Sequence, residues 1–424
     1  MRPFPPALGL LGSLALAGCA GLNWSAGPGM LAPDQDVAAA LGESAAAVEK
    51  FDPASLPDIG QPTATRPCCG FGMDLQIAIG GARVLGYSIP NIQAVEDLGR
   101  HEYDNGVLTF DLDLEHFATL EKDGLVYTCR GGFVDTGHVR DYADLTLFLA
   151  LRFAAALPGP ATFTLPGDGA VRRVRLAAIP AEALAGADRW EWAVRLAQYA
   201  VFHLSVFHEL VTWYGHRTSP AWSEKASAFS PEDLYSNLLG IRIAGGIIGK
   251  QGVRSRRDWN ASMDAWLPRA LKRLRPLPRD LGRRAMKDVD GSWWDSSKAL
   301  PDVLAVPRRN YSVANPLLPW RVEDAGVDSI IEAACAGTRA LPLAVPASLA
   351  EGFPLARFVT LDFELGDWAP KDFPFSDART RRVGLEEFPR LLRAARDDAE
   401  GVFGAGFDRP GGRVVRPAPL AVKR

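Results

Sequence analysis

One stretch constrains the fold more than any other. Between Ala187 and Tyr214, the residues Trp190, Trp192, Leu196, Tyr199, Phe202, Val206, Phe207, Leu210, Val211 and Tyr214 recur mostly at intervals of three and four. That spacing lines one face of an α-helix. At ~1.5 Å per residue the helix is roughly 40 Å long, enough to form the spine of a domain, and the rest of the chain has to bury its apolar face. Other helices are expected around it. One runs from Thr136 to Ala156 and is stopped by Pro158-Gly159-Pro160. Another begins at Ser230-Pro231-Glu232-Asp233, where the hydroxyl can cap, Pro fits the first turn and two acids meet the positive end of the dipole. It carries Leu234, Leu238, Leu239 and Ile241, and Gly245-Gly246 is expected to interrupt it. Trp259 to Leu274 reads as a basic amphipathic helix and Glu386 to Phe403 as a last one.

Short strands are expected at Met73 to Ile79, Val84 to Ser88, Val107 to Leu112 and Leu125 to Cys129, each bounded by Gly, Pro or Asn turns. Ala161 to Leu165 and Val171 to Ala177 form a hairpin across Gly167-Asp168-Gly169, and Arg357 to Glu364 is a further strand. The fold class is therefore α+β: a small N-terminal antiparallel sheet packed on a core of long helices, with an irregular mixed C-terminal region. The main domain is assigned to 66–300, with 301–424 packed on it.

Upstream of the body, Ala7 to Ala17 is almost wholly small or aliphatic and ends in Leu16-Ala17-Gly18-Cys19. The run is too short to span a bilayer and reads as a signal peptide over 1–18 that leaves Cys19 as a lipid-bearing N-terminus. Ala20, rather than Asp, follows the cysteine. In a Gram-negative cell this predicts an outer-membrane lipoprotein facing the periplasm. Residues 19–65, rich in Ala, Gly, Pro and Asp, read as a flexible tether. The formal net charge of −3 becomes −4 once Arg2 leaves, which argues against a nucleic-acid partner. Ile241 to Asp290 nevertheless holds thirteen Lys/Arg against five Asp, a surplus of eight positive charges. Such a stretch is either a solvated face or one apposed to an anionic envelope polymer or lipid.

With Cys19 assigned to lipid, Cys68, Cys69, Cys129 and Cys335 remain, an even number that suits disulfides in an oxidising compartment. Adjacent Cys68 and Cys69 rarely bond each other, so the first expectation joins one of them to Cys129, with Cys335 taking the other. Cys129 as a nucleophile beside a histidine is the competing idea.

Chemistry concentrates on four segments. Asp135, His138 and Tyr142 share a face at a helix start; the bland reading has Asp135 capping and His138 bonding a carbonyl. His208-Glu209 opens like a His-Glu-x-x-His zinc motif, but Thr212 stands where the second histidine belongs. Asp135, His138 and His208 are then candidate ligands for one divalent metal such as zinc, with Glu209 and His138 as catalytic acid–base groups. Asp233, Tyr235, Ser236 and Asn237 form a further polar set, with Asp233 and Asn237 on one face. His203 is turned about 140° from His208, and His101 and His116 carry no signal.

The strings Arg66-Pro67-Cys68-Cys69-Gly70-Phe71-Gly72, Tyr127 to Asp141, His208 to Gly215 and Phe229 to Gly240 resemble an uncharacterised family of bacterial lipoproteins, domain of unknown function 4056. The resemblance covers most of Arg66 to Trp320. It implies the compartment and the start of the domain, and assigns no catalytic residue. Two functions stand: a membrane-anchored hydrolase acting on an envelope component, and a non-catalytic envelope binding or assembly factor in which the polar residues are structural.

Overall fold

Three long helices pack side by side and carry the rest of the chain. The computed structural model describes residues 32–44, 56–63, 66, 70–79, 82–85, 91–105, 121–185, 188–217, 223–251, 253–327, 329–349, 353–369, 373–375 and 379–411. The lipobox with Cys19, Cys68, Cys69, His116 and the strand expected at Val107 to Leu112 lie outside the described residues. In chain order the elements are α1 (Asp34–Ala40), β1 (Gln76–Ile79), β2 (Ala82–Leu85), β3 (Leu125–Thr128), β4 (Gly132–Asp135), α2 (Thr136–Ala156), β5 (Ala161–Gly167), β6 (Ala170–Leu176) and α3 (Ala181–Ala185). Then follow α4 (Arg189–Trp213), α5 (Asp233–Gln251), α6 (Arg256–Arg273), α7 (Arg279–Asp288), α8 (Ile330–Ala334), β7 (Val359–Leu365), β8 (Arg382–Gly384) and α9 (Phe388–Phe403). The architecture is α+β, as its periodicities predict.

Helices α2, α4 and α5 each pack on the other two. Two of them start on a capping carboxylate: Asp135 accepts from Gly137 N at 2.8 Å in α2, and Asp188 from Trp190 N at 2.7 Å in α4. Such caps satisfy amide donors that have no partner within the helix. Trp190, Trp192 and Trp213 of α4 are fully buried. Helices α2 and α5 meet closely at Gly240, where a Cβ would lie 2.0 Å from Val139 O. Gly245 and Gly246 do not break α5, contrary to expectation. A Cβ would meet the Gln198 amide at 2.0 Å from the first and the Trp266 ring at 2.6 Å from the second. Their role is close packing, and the helix continues to Gln251.

The larger sheet is antiparallel in the order β5-β6-β7-β8. Strand β7 pairs along the whole of β6, from Ala170↔Leu365 to Leu176↔Val359. Phe207 of α4 stacks on Phe363 of β7 at 3.8 Å, and Phe388 of α9 lies 5.7 Å beyond it. A second core forms around the β3–β4 hairpin and α7, where Phe71, Tyr127, Phe133, Met286 and Trp293 are buried together.

Two expectations are corrected. Cys129 bonds Cys335, with Cα atoms 5.2 Å apart, rather than Cys68 or Cys69. Cys335 is the residue that closes α8, which packs in the second core beside β3. The segment read as a tether contains α1, whose Val37 is fully buried against the helical body. Arg273 of α6 donates to Asp34 at 2.5 Å and to Glu43 at 2.7 Å. An apolar run, Val37-Ala38-Ala39-Ala40-Leu41, is enough to dock the helix although the surrounding composition is tether-like.

Candidate functional site

The starts of α2 and α5 meet beside the C-terminal half of α4. Asp135 ends β4 and caps α2, which places His138 in the first helical turn. The Asp135 amide donates to Ser236 Oγ at 2.9 Å, tying that turn to α5. The loop entering α5 is held from inside. Glu209 Oε2 of α4 accepts from Phe229 N at 2.8 Å, and Phe229 takes a positive φ of 57°. Ser230 was expected to cap through its hydroxyl. Instead Ser230 N donates to Asp233 Oδ2 at 2.7 Å while its Oγ donates to Glu232 Oε1 at 3.1 Å.

These constraints bring His138 Nδ1 to 3.4 Å from Asp233 Oδ1. The distance is within ion-pair range, but the geometry is not that of a hydrogen bond, and both atoms are buried without a hydrogen-bond partner. Behind Asp233 lies the Glu209 carboxyl, whose charge acts on it. His138 is the member nearest solvent, its side chain 9% exposed against 1% for Asp233. Among the described residues no hydrogen bond engages His138 Nε2. The Tyr142 ring lies edge-on to the imidazole at 6.4 Å. Thr212 Oγ1, Glu232 Oε2 and both amide atoms of Asn237 are buried and unpaired as well.

The electrostatics follow from burial. Asp233 is raised well above the ordinary carboxylate range, first by desolvation and then by the Glu209 charge. Glu232 is raised in the same way, by burial and by Asp233. Burial also raises Glu209, against the opposing pull of His208 and of the Phe229 amide. Arg309 is the buried counter-charge. Its Nη1 donates to Ala228 O at 2.8 Å and its guanidinium sits 5.2 Å over the Phe403 ring. Desolvation lowers Arg309 to about 10, although Tyr311, Asp233, Glu232 and Glu209 pull the other way.

The structure unites some of the expected residues and separates others. His138, Tyr142, Glu209 and Asp233 converge. Asp135 is consumed as a cap. His208 is not in the site: Nδ1 lies 2.8 Å from Asp168 Oδ1 at the β5–β6 turn, and Arg172 pairs with the same carboxylate. Consecutive residues on a helix are turned ~100° apart, so Glu209 faces α5 while its neighbour faces the sheet. Burial opposes charge on His208, but the Asp168 carboxylate outweighs it and lifts the imidazole to about 10. The proposed ligand set of Asp135, His138 and His208 is therefore not assembled. Among the described residues no group of three or more His, Cys, Asp or Glu side chains is arranged to hold a metal ion. Cys129 is unavailable as a thiol nucleophile because its sulfur is in the disulfide. His203 Nδ1 bonds Tyr199 O at 2.8 Å, as its turn around the helix predicts.

A second buried ionic cluster escaped sequence reasoning. Arg66 pairs with Glu121, with Asp141 at 2.8 Å and with Asp144 at 3.1 Å. Asp144 also pairs with His101 Nε2 at 2.9 Å and accepts from Trp259 Nε1 at 2.7 Å. This network pins the N-terminal loops to α2 and α6, and its groups are largely satisfied, which marks it as architecture. Glu232 and Arg309 were missed too; Glu232 had been read only as a first-turn acid, and Arg309 lies in a segment without periodic pattern.

No curated protein and no solved structure matches the chain. A family model does match residues 56–323, a range that holds the whole constellation of His138, Glu209, Asp233 and Arg309 together with the Arg66 network, and the chain belongs to that family, described as "Protein of unknown function (DUF4056)".

Proposed function

We propose that this chain is a cell-envelope lipoprotein, held through lipid on Cys19 at the periplasmic face of the outer membrane, and that it hydrolyses an envelope component by general acid–base catalysis at His138. The observation that carries the chemistry is the His138–Asp233 pair: a buried imidazole with a sliver of exposed surface, its Nδ1 3.4 Å from a carboxyl, and its Nε2 without a hydrogen-bond partner among the described residues. A carboxyl behind an imidazole sets the tautomer and steadies the imidazolium formed when Nε2 takes a proton from water. Catalytic contacts of this length can close to hydrogen bonds when substrate binds. Glu209 supports the pair by holding the Phe229 amide in the loop that enters α5. The chemistry is assigned to the chain's own groups, since the ligand set expected for zinc is not brought together. The lipobox supports the address, and the Cys129–Cys335 bond fits an oxidising compartment.

The test is release of soluble product from isolated envelope polymer and from envelope lipid extract, followed by mass spectrometry. The wild-type chain is expected to release product, and His138→Asn and Asp233→Asn to lose it while keeping their melting temperatures. Absence of release by the wild type from both materials, or undiminished release by both variants, overturns the hydrolase reading. Cys19→Ser is expected to move the chain from the membrane to the soluble fraction. The second reading is a non-catalytic binding or assembly factor, favoured by the use of Asp135 as a cap and by the Glu209 contact to Phe229.

A further inference from the structure

A groove lies between α1, α4 and α5, at the far end of α5 from His138. Asp233 and Gly249 are sixteen residues apart on that helix, about 24 Å at ~1.5 Å per residue, so the two places are separate. The cavity measures ≈ 70 Å³ and is lined by Arg195 and Gln198 of α4, Arg242, Gly249 and Lys250 of α5, and Ala40 of α1, among others. This is several times the ~10–15 Å³ that one ordered water needs.

Three cations and two carboxylates line the groove, and Lys250 pairs with Asp36 at 3.7 Å while Arg195 pairs with Glu191 at 3.6 Å. Arg242 has no carboxylate partner among the described residues. Its hydrogen bond is Nε to Ala40 O at 2.7 Å, and among the described residues neither terminal nitrogen of the guanidinium has a hydrogen-bond acceptor. Burial and the charge of Arg195 depress it to about 10, so the two cations are near enough to repel. A partly buried guanidinium beside a like charge, with two donors unused, is a costly arrangement unless an anion completes it.

We propose that this groove is an oxyanion site that takes a phosphate group between Arg195 and Arg242, with Lys250 at the rim. The planar guanidinium fork matches the oxygens of a phosphate and binds them in pairs. The phosphate is that of a lipid headgroup or a free anion. Position favours the headgroup where the chain is anchored: α1 lines the groove, and Asp34 is fifteen residues from Cys19. That length reaches at most ~54 Å from the lipid at ~3.6 Å per residue. The site itself does not depend on the hydrolase reading.

The experiment uses the full chain carrying Cys19→Ala, with calorimetric titration of inorganic phosphate and co-sedimentation with phosphatidylcholine vesicles with and without phosphatidylglycerol. A Cβ on Gly249 would meet nothing within 4 Å, so Gly249→Leu starts a side chain in open space at the groove wall and changes no charge. Arg195→Gln removes one cation and spares the Arg242 bond to α1. Both variants are expected to weaken binding at least tenfold and to keep the wild-type melting temperature. Binding of phosphate alone assigns a free anion, and binding of the anionic vesicles alone assigns a headgroup; either supports the site. Failure of both ligands, or equal binding by wild type and Gly249→Leu, overturns it.

Discussion

Opening the Cys129–Cys335 bond separates two residues that close a loop of 206 positions. The cross-link removes conformations mainly from the unfolded chain, by about 2.1 + 1.5R ln n cal/mol/K. For this loop the stabilisation is about 5 kcal/mol at 25 °C, at the upper end of what disulfides contribute. Both cysteines sit in the second core, Cys129 fully buried and Cys335 3% exposed. Alanine at either position adds only a small void, on the order of 1 kcal/mol. Equilibrium urea unfolding of the oxidised wild type, Cys129→Ala, Cys335→Ala and the double variant tests this. Each single variant should lose about 5 kcal/mol. The double variant should lie within about 1 kcal/mol of either single, because one missing sulfur already opens the whole loop. Single variants that each lose less than about 1 kcal/mol, or losses that simply add in the double variant, would refute the argument from loop closure.

Gly240→Ala should destabilise by about 2–3 kcal/mol in the same assay, since the new methyl meets Val139 O, a backbone atom that can yield only if α2 and α5 separate. The His138 ring resonances should shift with it, and unchanged stability would show that the helices have room to spare. The His208–Asp168 pair makes a signed pH prediction. His208 is raised to about 10 in the folded chain, so its stabilisation is complete below the unfolded imidazole value of ~6.5 and is lost as pH rises through about 10. The melting-temperature gap between wild type and His208→Gln should therefore narrow from pH 6.5 to pH 10.5; a constant gap counts against the pair.

Much of the architecture can be read from local pattern. Thr136–Ala156 is bounded by a capping Asp135 and by Pro158, and its limits emerge from those signals alone. The hairpin turn at Gly167-Asp168-Gly169 is legible because Asp168 and both glycines take positive φ there. What local pattern cannot supply is partnership across the chain. Asp168 finds His208 forty residues away, and that pairing removes His208 from the site in which its sequence neighbour Glu209 takes part. The glycines of α5 look like a break because sequence shows only their flexibility, whereas their use is to admit Gln198 and Trp266. Helix α7 was missed because its charged residues mask a narrow apolar face of Gly282, Ala285 and Met286. His138 and Glu209 were legible as candidates by residue type; the carboxyl that joins them, Asp233, was set apart as a neighbouring polar set.

The pairing of β7 with β6 has a consequence for where the family ends. The matched range stops at residue 323, yet the strand that satisfies the outer edge of β6, the aromatic ring stacked on Phe207 and the partner of Cys129 all come from beyond it. A chain cut at 323 would present the seven residues of β6 as an open template of unpaired amides and carbonyls, the kind of edge through which sheets join to one another. In this molecule the matched segment does not contain the strand that covers its own sheet edge: β7, from beyond residue 323, pairs with β6 along its whole length.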